Sequence, residues 1–435
     1  RHPGERRDLP PQPQALKDGA VTRRAWRATA LVILAGGGIA LRWHFIDFQS
    51  GDYRTFLSRW YAFIETHGHL AALADDSFSN YNTPYLVILA LASYLPIQPI
   101  VAVKAISILG DLALAGVGAA IVARLRPQSF RTPVAAFGAV FLLPTVVMNS
   151  GVWGQCDSLY AACCLAAVLA LIDRRALAAS AWFGLAFGFK LQAIFLLPLL
   201  IAVVIVNRHR WWSLLATPAT FFASLMPALI AGRSLASQLM VYPLQITDSS
   251  GVGGTVGGAR PPGGGGGGRP GGGGGFTLND GQSFTHNAPT PYAWLPADAS
   301  VLWKYAGLAL TAGLVIGFGV WLIARGAPLT GRQILLLAAT STLLIPLLLP
   351  EMHERYFYLA EVLLVLAGFI DARYWWAAAG IQLASISTYL SYLLDRTTVP
   401  LGWAAVLAGA AGVVACMLLP GAVSNVVASR ADEAP

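Results

Sequence analysis

Long apolar segments, separated by short polar gaps, fill most of the 435 residues of this chain. A helix needs about 20 consecutive apolar residues to cross a bilayer, and most of these segments approach that length. The pattern therefore predicts an all-α, polytopic integral membrane protein with about twelve transmembrane helices. The predicted spans lie near residues 27–45, 100–124, 132–150, 155–172, 176–189, 191–206, 211–231, 300–324, 332–350, 355–370, 374–394 and 399–419.

One apolar run, residues 83–97, is too short to count as a span, since it holds about 15 residues between two prolines. Short cytoplasmic loops collect Lys and Arg. If this run lies in the interface or re-enters the membrane, every short Arg-rich gap falls on the cytoplasmic side, together with both termini. Those gaps are residues 124–131, 173–175, 207–210, 325–332 and 371–373.

The composition agrees with this class of protein. The chain is 56% hydrophobic and 11% charged, which is more apolar surface than a soluble core of this length buries. Its net charge of +8 does not indicate nucleic-acid binding, because basic residues crowd the first 27 positions, where a cytoplasmic tail would meet anionic lipids. The four cysteines lack metal-ligand spacing and are interpreted as small buried residues.

The same pattern divides the chain into five parts. A cytoplasmic basic tail (1–26) precedes an N-terminal membrane module (27–231), whose external loop 46–99 carries apolar residues at helical spacing and is expected to form interfacial helices. A second external loop (232–299) contains a Gly-rich insertion at 251–275, predicted to be disordered. A C-terminal membrane module (300–419) and a cytoplasmic tail (420–435) follow.

The gaps predicted to face outward hold most of the polar residues able to do chemistry. They contain Asp52, residues 153–157 (Trp-Gly-Gln-Cys-Asp), Lys190, residues 287–294 and residues 351–355 (Glu-Met-His-Glu-Arg). Because these groups gather on one side of the predicted membrane, the chain is interpreted as a membrane enzyme with an external active site.

The chain carries four motifs in a fixed order: residues 50–53 (Ser-Gly-Asp-Tyr) with 80–85 (Asn-Tyr-Asn-Thr-Pro-Tyr), residues 149–157 (Asn-Ser-Gly-Val-Trp-Gly-Gln-Cys-Asp), residues 189–192 (Phe-Lys-Leu-Gln) followed by Pro198, and residues 352–356 (Met-His-Glu-Arg-Tyr). In this order they resemble the motifs of the GT-C superfamily of lipid-phosphosugar-dependent glycosyltransferases. They are most similar to its bacterial mannosyltransferase-like branch, related to the enzymes that mannosylate glycosylphosphatidylinositol. Thr83, at a position where a second proline is usual, and the Gly-rich insertion depart from that pattern.

The resemblance implies transfer of a hexose, with mannose favoured, from a polyprenyl-phosphate donor to a hydroxyl of a glycan, lipid or protein. Transfer with inversion is expected on the external face of a bacterial inner membrane. Two other classes stay open: a twelve-helix secondary transporter and a non-catalytic scaffold. The predicted halves do not repeat each other, as transporter halves usually do.

Such a transfer requires a base for the incoming hydroxyl and positive charge for the departing phosphate. Asp52 is the candidate base; Asp47 is its rival, and a solvated loop acid or a helix N-cap is the alternative interpretation of Asp52. Lys190, His353 and Arg355 are the candidate phosphate ligands. For Lys190 the alternative is a helix-end residue that snorkels, and for Arg355 a structural network of ion pairs with the neighbouring acids.

Five further residues are expected to bind substrate: Gln155, Asp157, Gln192, Tyr292 and Glu354. Asp157 is equally able to cap the following helix. The sequence contains no paired Asp-x-Asp metal site, and two cations can neutralise a phospholipid leaving group, so neither a metal nor another cofactor is expected. The expected partners are the bilayer, the lipid-linked donor and the acceptor, without nucleic acid.

Overall fold

The computed structural model describes residues 13–247, 284–296 and 299–424. Within these ranges the chain forms sixteen α-helices and no strand, apart from isolated bridges between residues 286–287 and His353. The helices are α1 (Pro13–Trp43), α2 (Ser58–Thr66), α3 (Thr83–Ala92), α4 (Pro99–Leu125), α5 (Thr132–Phe141), α6 (Pro144–Val147), α7 (Asp157–Ile172), α8 (Ala176–Phe189), α9 (Leu197–Val206), α10 (Ala216–Ala231), α11 (Leu235–Thr247), α12 (Leu302–Arg325), α13 (Gly331–Leu348), α14 (Tyr358–Ile370), α15 (Tyr374–Leu394) and α16 (Leu401–Ser424).

Local sequence explains where several of these helices begin. A proline in the first turn presets the backbone of α3, α4, α5 and α9 at a position whose N–H has no helical partner. At α13 the Thr330 and Gln333 side chains form a reciprocal capping box. Because helices satisfy their own backbone hydrogen bonds, they suit a hydrocarbon solvent, and the predicted all-α polytopic class is confirmed.

Seven of the described helical segments are long and apolar enough to cross a membrane. The number becomes eight if the bent pair 132–141 and 144–153 counts as one span. The two halves of that pair meet at 49°. Other predicted spans correspond to shorter helices such as α7 and α8. The total of twelve therefore stays a prediction. Helix α3 has ten residues, or about 15 Å of rise, which is half of what a crossing requires.

The first predicted external loop is an ordered, folded segment. Residues 53–57 form a π-helical turn that continues into α2, and residues 69–74 form a 3₁₀ turn. Trp60 and Ile64 on α2 are buried. The predicted helix is thus present, and its apolar face packs into the protein. The Gly-rich insertion 251–275 lies outside the described residues.

Two predicted boundaries differ from the structure. Helix α1 begins at Pro13, well before the predicted start of the first span, and α16 continues to Ser424, beyond the predicted end of the last one. Helical hydrogen bonding continues past the apolar run in both cases, because the polar flanks contain residues compatible with a helix.

A buried ion pair lies beside the break between α6 and α7. The Nε atom of Arg42 donates to Asp111 Oδ2 and to Ser150 Oγ, both at 2.9 Å, and its Nη2 donates to the Phe141 carbonyl at 2.7 Å. Arg42 and Asp111 are fully buried. This network ties α1 and α4 to the π-helical turn of residues 148–153, which leads directly into the candidate site.

Candidate active site

Asp52 is the centre of a dense hydrogen-bond network. Its Oδ2 accepts from Gln155 Nε2 at 2.5 Å, Trp153 Nε1 at 2.9 Å and Arg355 Nη1 at 3.0 Å. Its Oδ1 accepts from the Tyr392 hydroxyl at 2.5 Å. The residue is only 4% exposed. Four donors, one of them a guanidinium, compensate for the burial of this carboxylate.

The elements that deliver these donors are irregular, and the sequence explains why. The π-helical turn of residues 148–153 ends at Gly154, whose φ of 77° is readily adopted only by glycine. The chain then reverses into α7, so that Trp153 and Gln155 both reach Asp52. Ser50 Oγ donates to the Trp153 carbonyl at 2.7 Å and fastens the Asp52 segment to this turn.

The alternative interpretations of Asp52 are wrong. Asp52 precedes the 53–57 turn but makes no side-chain capping hydrogen bond, and it is not solvated. Its rival Asp47 is exposed and lines neither of the cavities described below.

Lys190 lies at a break in the helix, as the sequence indicates. Helix α8 ends at Phe189, Lys190 is extended (φ −152°, ψ 142°), and a 3₁₀ turn leads to α9. Its ammonium forms a buried ion pair with Asp157 Oδ1, while Asp157 Oδ2 accepts from Asn149 Nδ2 at 2.8 Å. Lys190 therefore does not snorkel, and Asp157, which makes no capping hydrogen bond, does not cap α7.

The segment of residues 351–355 is held by residues 284–287, which belong to the second of the predicted external loops. The His286 N–H donates to the Met352 carbonyl at 2.9 Å, and the His286 and His353 rings stack with centroids 4.8 Å apart. Glu351 forms a fully buried ion pair with Lys304 on α12. The acid that pairs with Arg355 is therefore the distant Asp52, not its neighbour Glu351.

Glu354 is buried beside this network. Burial raises the pKa of its carboxyl to about 7, although the Arg355 guanidinium opposes the shift. Arg355 also lies 5.3 Å from the centre of the Trp153 ring, a cation–π distance. The site thus holds two ion pairs, Asp52–Arg355 and Asp157–Lys190, and one carboxyl that titrates near neutrality.

Two cavities meet at this network. The main cavity has a volume of about 370 Å³, and its lining combines Lys190, His353 and Arg355 with apolar residues. The niche, as we name the second cavity, measures about 40 Å³, and Asp52 and Gln155 are among the residues that line it. The walls common to both are formed by Asn80, Tyr81 and Arg355.

The structure brings together most of the predicted site residues. Gln192 lines the main cavity, whereas Asp157 and Glu354 are buried and line neither cavity. Tyr292 is separate from them: it lines neither cavity, and its hydroxyl donates to the Leu348 carbonyl at 2.7 Å.

Sequence reasoning missed Tyr392, which donates to Asp52 and stacks on Trp153 with ring centroids 4.5 Å apart. It occurs near the end of an apolar helix, where a tyrosine resembles an ordinary interfacial residue. The ring of Tyr81 lies 5.6 Å from the Lys190 ammonium. In the sequence this tyrosine stands out only as a member of a motif. No signal within the sequence distinguishes either residue from a packing tyrosine.

The apolar helices of the fold define a multi-pass membrane protein. A family model described as glycosyltransferase family 87 matches residues 78–350, more than half of the chain. The chain therefore belongs to glycosyltransferase family 87, a membrane glycosyltransferase family of the GT-C type. A comparison with curated proteins gives no match. The family does not favour the transporter alternative.

Proposed function

We propose that this glycosyltransferase moves a hexose from a polyprenyl-phosphate donor to an acceptor hydroxyl, with Asp52 as the general base. The observation that carries the proposal is the junction of the two cavities at Arg355, with cationic groups on one side and a carboxylate on the other. Mannose is the favoured sugar because of the motif resemblance, and the external face of a bacterial inner membrane is the proposed location.

The main cavity fits a lipid-linked phosphate. Its lining includes Lys190, Arg355 and His353, and guanidinium and ammonium groups are the usual ligands of phosphate oxygens. The rest of the lining is largely apolar and suits a prenyl chain. Its apolar residues include Leu191, Ile194, Phe195, Leu308 and Leu349.

We propose that the niche receives the acceptor, because it fits a hydroxyl that must lose a proton. An ionised carboxylate offers about four lone-pair sites; Oδ2 of Asp52 receives three donors and Oδ1 receives one. A lone pair on Oδ1 is therefore open to the acceptor hydroxyl. The attacking oxygen forms a bond to the anomeric carbon as the bond to the phosphate oxygen breaks, and the proton passes to Asp52. Attack from the niche opposite the phosphate inverts the anomeric centre.

Arg355 connects the two steps. A guanidinium has five N–H donors, so Arg355 can hold the departing phosphate while one donor remains on Asp52. Together with Lys190 it supplies the positive charge that the leaving group needs, so we propose transfer without a resident metal ion. The remaining partners are the bilayer and a glycan, lipid or protein acceptor.

The direct test uses purified protein in lipid vesicles with radiolabelled polyprenyl-phosphate mannose, glucose and galactose, and a membrane-lipid extract as acceptor. We expect label in a new product for one donor, and the same rate in EDTA. Transfer from a nucleotide sugar alone, or uptake of label without a product, would contradict the proposal.

A further inference from the structure

We propose that Asn82, with Asn80 and Gln192, binds the hydroxyl groups of the donor's hexose. This inference rests on the proposed function and assigns part of the main cavity to the sugar ring. All three amides line that cavity. Each has a buried side-chain oxygen with no hydrogen-bond partner among the described residues: Oδ1 of Asn80, Oδ1 of Asn82 and Oε1 of Gln192.

Asn82 is the most informative of the three. It is 2% exposed, and neither its Oδ1 nor its Nδ2 completes a hydrogen bond. Nδ2 lies near the Tyr242 hydroxyl without forming a hydrogen bond of normal geometry, and the proton of that hydroxyl is donated to the Phe187 carbonyl. A buried amide without partners is costly, so such groups in native proteins call for an explanation.

The position of Asn82 in the chain makes the missing partners more significant. Asn82 is the N-cap residue of α3, where an asparagine oxygen ordinarily accepts a backbone N–H of the first turn. Here the side chain makes no such bond. The amide thus forgoes the local interaction for which asparagine is preferred, and lines the cavity instead.

The chemistry of the three oxygens selects the ligand. Amide oxygens are acceptors and need donors; a phosphate ester that is ionised has none, whereas each hydroxyl of a hexose has one. The Asn82 Nδ2 group adds two donors for a neighbouring hydroxyl. Tyr81, between Asn80 and Asn82, lines the same cavity with an aromatic ring, a surface on which sugar rings pack.

The backbone around these amides is braced. Gln245 Nε2 donates to the Asn80 carbonyl at 2.6 Å, and the Thr83 hydroxyl donates to Gln238 Oε1 at 2.5 Å. The segment is therefore held from α11 by its backbone and by Thr83, and neither contact uses the side-chain amide of Asn80 or Asn82. The cavity volume lies within the usual range of small-molecule sites.

The test compares two lipids that differ only in the sugar: a short-chain polyprenyl phosphate and the same lipid carrying the hexose that wild type transfers. Binding is measured to full-length protein in vesicles. Asn82→Leu keeps the side-chain size and removes its polar atoms. We expect it to weaken binding of the sugar-bearing lipid about tenfold or more, and binding of the bare phosphate by less than about threefold. Gln192→Met should act in the same direction.

Stability separates this role from a structural one. Because Asn82 has no partners to lose, Asn82→Leu should leave the midpoint of thermal unfolding unchanged or raise it. Asn207→Leu is the matched control: Asn207 bonds to both the N–H and the carbonyl of Leu329, so its loss should lower the midpoint without changing the lipid preference.

Four outcomes would overturn the proposal. The first is an unchanged preference for the sugar-bearing lipid in Asn82→Leu and Gln192→Met, and the second is an equal loss of binding of both lipids together with lower stability. The third is an effect confined to the KM for the acceptor. The fourth is that wild type binds the sugar-bearing lipid no better than the bare phosphate. The third would assign the hydroxyl site to the acceptor. The fourth would count against the proposed function itself.

Discussion

Arg355 Nη1 lies 3.0 Å from Asp52 Oδ2, although 303 positions separate the two residues in the chain. Both side chains are largely buried. The candidate base and a candidate phosphate ligand are therefore one ion pair at the boundary between the two cavities. A phosphate that draws the guanidinium toward the main cavity would loosen its hold on Asp52, so donor binding and activation of the base are physically connected.

Replacing Asp52 with Asn keeps the side-chain shape and removes the base. General-base catalysis contributes typically about 10²–10⁴-fold, so we expect a loss of that size in the transfer rate with donor binding within a few-fold of wild type. Asp47→Asn, which changes the exposed rival candidate, should leave the transfer rate unchanged. An unchanged rate in a folded Asp52→Asn protein would remove this residue from the mechanism.

Arg355→Lys keeps the charge but not the planar fork that reaches Asp52 and a phosphate together. We expect both donor affinity and turnover to fall, and to fall further in Arg355→Ala, because the phosphate contact exists in the ground state and the transition state. Arg396→Ala, at an exposed position, is the control. Normal donor affinity in Arg355→Ala would show that the phosphate binds elsewhere.

Glu354 should make stability depend on pH. Its pKa is raised from 4.5 to about 7 in the folded protein, so folding favours the protonated carboxyl. The associated stability is complete below about pH 4.5 and is lost as the pH rises through about 7. Glu354→Gln, which stays neutral, should flatten this part of the profile of unfolding midpoint against pH. A midpoint that rises over the same interval because of Glu354 would contradict the burial argument.

Each residue of the buried Arg42–Asp111 ion pair should be needed for stability mainly while the other one is present. Removing one partner leaves an uncompensated buried charge, which costs about 3–5 kcal/mol, so Arg42→Met and Asp111→Leu should each lower the unfolding midpoint strongly. The double variant should recover part of the loss. If the double variant were as unstable as the sum of the two single ones, the pairing would carry no coupling energy.

The predicted sidedness is tested with cysteines at two exposed positions, Ser77 and Gln98, in a background lacking the exposed Cys416. Because α3 is too short to cross, both cysteines should react with an impermeant reagent from outside intact cells. Reaction of the cysteine at Gln98 only after the membrane is opened would show that residues 83–97 cross it.

Some of this architecture is determined by local sequence. Apolar segments with prolines in their first turns predict the helices, because helix formation depends on near neighbours and on a solvent that requires internal hydrogen bonding. The break at Lys190 is visible for the same reason, since it falls between two predicted spans. Motif order also pointed to the glycosyltransferase class, which the family match confirms.

Only the tertiary structure decides which polar groups meet. The angles at which distant helices pack determine that Arg355 pairs with Asp52 while Glu351 pairs with Lys304, that Tyr392 reaches the candidate base, and that Tyr292 stays outside the cavities. Whether a buried amide has a partner is equally a property of packing. Asn82 looks like a helix cap in sequence, and only the fold shows that its side-chain oxygen has no hydrogen-bond partner among the described residues.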